Sequence, residues 1–61
     1  MNKIIEKIQE DCLKINEESD NHYYLVVDKY SVNKVENLLK DAGAVLNFTY
    51  GMFIHIDVLF E

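Results

Sequence analysis

The chain has 61 residues, 49% of them apolar, and a formal net charge of −5. That is one domain with an ordinary apolar fraction but a small core, since a chain this short buries only about 60% of its unfolded surface. All six basic residues are lysine. An acidic chain without arginine's bidentate fork binds phosphate backbones poorly, so nucleic acid is set aside as a partner.

No apolar run approaches the roughly 18 residues of a membrane span, which sets aside the membrane as well. The first residues show no apolar signal region, and Cys12 is the single cysteine. Both features lead to the expectation of a reducing, cytoplasmic setting. Without a disulfide, so small a domain gains stability from a metal or from self-association. Cys12, His22 and His55 show none of the spacings of a metal site. No metal or cofactor is expected, and a homodimer is.

Residues 2–16 read as an amphipathic helix. Ile4, Ile5, Ile8, Cys12 and Ile15 share one stripe, Leu13 falls off it, and Glu10 and Lys14 make a favourable i, i+4 pair. The polar run Glu17-Glu18-Ser19-Asp20-Asn21 ends it. His22 to Asp28, aromatic and β-branched, reads as a strand. A second helix follows, with Val32, Val35, Leu39 and Ala42 as its core stripe and Leu38 at the edge. Ser31 or Asp28 serves as its N-cap, and Gly43 as the left-handed residue that stops it.

From Leu46 to Phe60 every second residue is apolar, straight through Gly51. One bent strand over 44–60 would be far longer than usual, so a hairpin is the preferred reading. A two-residue loop would set polar residues on the face of Met52 and Ile54. The three-residue loop Thr49-Tyr50-Gly51 keeps all even residues together, with glycine at the position that needs φ > 0. The expected architecture is α+β, in the order α-β-α-β-β. It is a three-stranded mixed sheet with the last strand between the other two and both helices on the even face.

The opposite face is then open. The hairpin gives it Phe53, His55, Asp57 and Leu59, and the first strand gives it either Tyr24 and Val26 or Tyr23, Leu25 and Val27. The candidate partner-binding residues are Tyr24, Val26, Phe53, His55, Asp57 and Leu59, which mix aromatic anchors with polar neighbours. Asn47 and Val45 fall on the same side. The acidic residues Glu10, Asp11, Glu17, Glu18 and Asp20 form a second candidate, a docking surface for a basic partner. His55 and Asp57 lie two apart on one strand and could act as an acid–base pair, but no nucleophile accompanies them, so no catalysis is expected.

The stretch Val35-Glu36-Asn37-Leu38-Leu39-Lys40-Asp41-Ala42-Gly43-Ala44-Val45-Leu46 resembles the helix-to-strand junction of ferredoxin-like ligand-binding modules of the ACT type. That resemblance implies half of such a module and a regulatory small-molecule site. The loop Asp28-Lys29-Tyr30-Ser31 lacks the glycine usual in that family after the first strand. The overall profile (short, acidic, rich in Asn, Ile and Lys, free of arginine) resembles that of small accessory proteins of phages and mobile elements. It implies a non-enzymatic inhibitor that binds a host or defence protein stoichiometrically.

Overall fold

The computed structural model describes residues 2–61. Six regular elements follow one another: α1 (Lys3–Ile8), β1 (Lys14–Ser19), β2 (His22–Val27), α2 (Val32–Asp41), β3 (Val45–Tyr50) and β4 (Ile54–Leu59). The strands form a four-stranded sheet in the order β1-β2-β4-β3. Every neighbouring pair is antiparallel. The chain is α+β as expected, and β4 does lie between β2 and β3. The sheet has four strands, however, and is antiparallel rather than mixed.

The fourth strand comes from the segment expected to end the first helix. Asn2 caps α1, its side chain accepting the N–H of Ile4 at 2.7 Å. The helix then lasts six residues, tightens into a 3-10 turn at Gln9–Asp11 and gives way to extended backbone at Cys12. The i, i+4 pairing of Glu10 with Lys14 therefore has no helix to sit on. What captures the chain is the free side of β2: Leu13 donates its N–H to the carbonyl of Val26 at 2.7 Å, and Lys14 to Glu17 pair with Val26 to Tyr23. A central strand needs partners on both sides for its backbone groups, and that need outweighs a helical preference of a few tenths of a kcal/mol per residue. Ile15 continues the helical stripe in sequence, yet it packs against the core from a strand.

Both helices cover one face. The core consists of Ile5 and Ile8 from α1, Val35 and Leu39 from α2, Tyr23, Leu25 and Val27 from β2, and Ile54, Ile56 and Val58 from β4. Ala42, expected in the second helix stripe, is exposed at the helix end. The start of α2 is held by Asp28, whose Oδ1 accepts from the N–H groups of Tyr30 (2.9 Å) and Ser31 (3.0 Å). Ser31 occupies the cap position without a side-chain bond of its own. At the other end, Gly43 donates to the Lys40 carbonyl and Ala44 to that of Leu39, a Schellman closure that requires the left-handed residue at Gly43, where φ is 80°.

β3 and β4 form a hairpin whose loop is Gly51-Met52-Phe53, because Tyr50 pairs with Ile54 and Phe48 with Ile56. The loop has three residues, as the alternation demanded, but it lies two positions beyond Thr49-Tyr50-Gly51. Gly51 is not in the left-handed region. A shift of two leaves every side chain on its expected face. It lengthens the paired strands and moves Met52, 94% exposed, off the core face and into the loop.

In element order, α-β-β-α-β-β is the β-α-β-β-α-β cycle of ferredoxin-like folds with its last helix and strand moved to the front.

The two glycines separate experimentally. Nothing lies within 4 Å of a methyl group added at Gly43, so Gly43→Ala should cost only backbone strain, about 1 kcal/mol. At Gly51 the nearest atom is the Phe53 carbonyl oxygen at 3.8 Å, and Gly51→Ala should change stability by less than about 0.5 kcal/mol. Denaturant midpoints of the two variants test this; equal losses would contradict the backbone assignment.

Candidate functional site

The helix-free face is built by the residues that alternate with the core. On β2 these are His22, Tyr24 and Val26, and on β4 they are His55, Asp57 and Leu59. The antiparallel register sets Tyr24 opposite Asp57, Val26 opposite His55 and His22 opposite Leu59. β3 adds Val45, Asn47 and Thr49 beside Leu59, Asp57 and His55. β1 adds Lys14 and Asn16 beside Val26 and Tyr24.

Five of the six expected partner-binding residues therefore share this face: Tyr24, Val26, His55, Asp57 and Leu59. Phe53 does not. It belongs to the hairpin loop and is 43% exposed at the tip, because the loop lies two residues later than the alternation alone placed it. His22 was missed as a member of the face, although its position two before Tyr24 signals it. Lys14 and Asn16 were missed because their segment read as helix.

Two diagonal pairs order the middle of the face. His22 Nε2 donates to Asp57 Oδ1 at 2.7 Å. The Tyr24 hydroxyl lies 2.6 Å from His55 Nδ1, with the two rings 5.7 Å apart and tilted. Twist brings diagonal neighbours of an antiparallel pair within reach of long side chains. The expected His55–Asp57 pair is thus split, each residue engaging a different partner across the strands. No pocket opens on the described surface, and the described residues hold no group of three or more His, Cys, Asp or Glu side chains arranged for a metal.

The acidic residues do not form one surface. Glu10 and Asp11 lie in the 3-10 turn before β1, and Asp11 is bound to Lys34 of α2 at 3.1 Å. Glu17 and Glu18 lie near the far end of β1, and Asp20 follows in the turn to β2. Glu18 is the extra residue of a bulge, since Glu17 pairs with Tyr23 and Ser19 with His22. The opposite end of the sheet gathers the β2–α2 loop, the hairpin tip and the start of β1. Leu13, Tyr30, Met52 and Phe53 are exposed there, with the Lys29 ammonium 5.3 Å from the centre of the Tyr30 ring.

No protein-family model, curated protein or solved structure matches this chain.

Cys12 packs against the core on the helix side. Burial, and then the negative charge of Asp11, push its thiol up to about 11. The thiolate is the reactive form, so Cys12 should react with a disulfide reagent at pH 8 about 100-fold more slowly than in the denatured chain. Equal rates in the presence and absence of denaturant would contradict this burial.

Proposed function

We propose that the protein is a non-enzymatic binding module that holds another protein in a stoichiometric complex through the helix-free face of its sheet. The observation that carries this reading is a helix-free sheet face without a pocket. On it Tyr24, Val26 and Leu59 stand among polar side chains already ordered by two cross-strand bonds. Aromatic anchors in a polar surround suit a protein contact, and pre-ordered side chains lose less entropy on docking. Glu17, Glu18 and Asp20 at one end of the sheet would steer a partner with a basic surface. The acidic, arginine-free composition supports an inhibitor of the phage or mobile-element kind, acting on a host or defence protein in the bacterial cytoplasm.

A regulatory small-ligand domain is the second reading, favoured by the rotated ferredoxin-like element order. Its ligand would have to open a cavity of its own. A thermal-shift screen against amino acids and nucleotides tests it, and a saturable rise in melting temperature would favour it over the first.

The binder reading is tested by affinity capture from a low-GC Gram-positive lysate with the wild-type chain and Tyr24→Ala side by side. One partner at near-stoichiometric yield is expected, with affinity lower by about 30-fold in the variant, the loss typical of a central aromatic anchor. A partner that binds both chains equally would exclude the sheet face as the site. Glu17→Lys with Glu18→Lys should slow association with the purified partner, and added salt should do the same to the wild type. Association that ignores both changes would remove the acidic residues from the mechanism.

A further inference from the structure

The sheet has two edges, and they are built differently. The β1 edge carries Lys14, Glu17 and Glu18 and is broken by the bulge at Glu18. Charge and bulging are the devices by which natural sheets keep an edge from pairing with another chain. The β3 edge, Val45-Leu46-Asn47-Phe48-Thr49-Tyr50, has six residues, no charge, no proline and a regular register to its end. Val45, Asn47 and Thr49 on its open face and Tyr50 on its helix face are exposed.

The ladder phase shows which backbone groups face outward. Gly51 donates its N–H to the Phe53 carbonyl at 3.1 Å. In an antiparallel ladder the bonded pairs alternate, so Thr49, Asn47 and Val45 also turn their backbone groups toward β4. Leu46, Phe48 and Tyr50 turn theirs away from the sheet.

We propose that this edge is the interface between two copies of the chain. β3 pairs antiparallel with β3 of a second copy about a twofold axis at Phe48, giving one eight-stranded sheet. The proposal rests on the reading of the protein as a binding module and specifies one partner, the chain itself. In this register Phe48 meets Phe48, Leu46 meets Tyr50 and Asn47 meets Thr49 of the second copy, and the outward N–H and C=O groups of the even residues satisfy one another. No like charges oppose. Phe48 and Tyr50 are already stacked, 5.9 Å apart and 8° from parallel, so a pre-formed aromatic ridge lines the helix side of the seam. A standard interface takes about 800 Å² from each partner. Removing that from a chain exposing 4141 Å² would hide about a fifth of its surface, a large gain for a domain this small. The continuous face would also present two copies of the partner-binding site side by side.

The test is sedimentation equilibrium on the full chain, with amide exchange followed by NMR at low and high concentration. The expected result is a dimer in which the Leu46, Phe48 and Tyr50 amides become protected as concentration rises, while those of Asn47 and Thr49 are protected throughout. Asn47→Lys with Thr49→Lys sets lysines opposite one another across the seam and should weaken the dimer about tenfold or more. Asn16→Lys on the β1 edge should leave it unchanged. Tyr50→Pro removes one outward donor without touching a bond inside the protomer, and should act like the double lysine variant. A wild-type chain that stays monomeric at millimolar concentration overturns the proposal. So does a dimer whose Leu46, Phe48 and Tyr50 amides exchange as freely as in the monomer, which would place the contact on the sheet face. A monomer that still captures a host partner overturns the edge pairing and leaves the binder reading intact. A dimer that captures nothing does the reverse.

Discussion

The pairing of β2 with β4 is the constraint on which the rest of the molecule depends. Tyr23 stands opposite Val58, Leu25 opposite Ile56 and Val27 opposite Ile54, and all six side chains are buried. A slip of one residue between the two strands would turn one strand's three buried side chains to solvent and bring its polar neighbours, His22 and Tyr24 or His55 and Asp57, into the core. Fully burying one such side chain is worth about 1.5–3 kcal/mol. The total stability of a chain this size is only about 3–9 kcal/mol. A one-residue slip would therefore forfeit a large share of that stability. The same register places the two diagonal polar pairs on the open side, so the candidate site is a by-product of the core's requirement.

Tyr23 links this pairing to the first half of the chain. Its ring meets Phe60 edge-on at 5.9 Å. Its hydroxyl accepts the N–H of Asn2 at 3.1 Å and donates to the Asp20 carbonyl at 3.4 Å. A buried phenol needs partners for its oxygen, and here those partners are the start of α1 and the turn between β1 and β2. One side chain thus ties α1 and the β1–β2 turn to the centre of the sheet. The ion pair of Asp11 with Lys34 adds a surface tie between the two helical regions, worth at most about 1 kcal/mol in water.

The surface divides by function of position. The helices take one face, and two cross-strand polar pairs order the open face. One end of the sheet is acidic around Glu17, Glu18 and Asp20, while the other exposes Leu13, Tyr30, Met52 and Phe53. Of the two edges, β1 is guarded by charge and a bulge, and β3 is neither charged nor bulged. The open face and the β3 edge share only the β3 side chains Val45, Asn47 and Thr49, so a dimer would keep Tyr24, Val26, His55 and Asp57 of both copies available.

By itself the sequence determined whatever depends on local period and backbone chemistry. The alternation from Leu46 to Phe60 placed Ile54, Ile56 and Val58 in the core and His55, Asp57 and Leu59 opposite them. Gly43 ended the second helix because only glycine adopts its conformation without strain. The odd-length hairpin loop followed from the same alternation. Tertiary structure alone decided three things. Residues 14–19 became a strand because the free side of β2 needed backbone partners, and an edge strand with one inward residue leaves no period to read. The loop moved two positions because such a shift changes no side chain's face, so only the pairing of β4 with β2 could fix it. Tyr24 and Val26 rather than Tyr23, Leu25 and Val27 reached the open face because β2 is apolar on both sides, and its orientation had to await the partner that covers it.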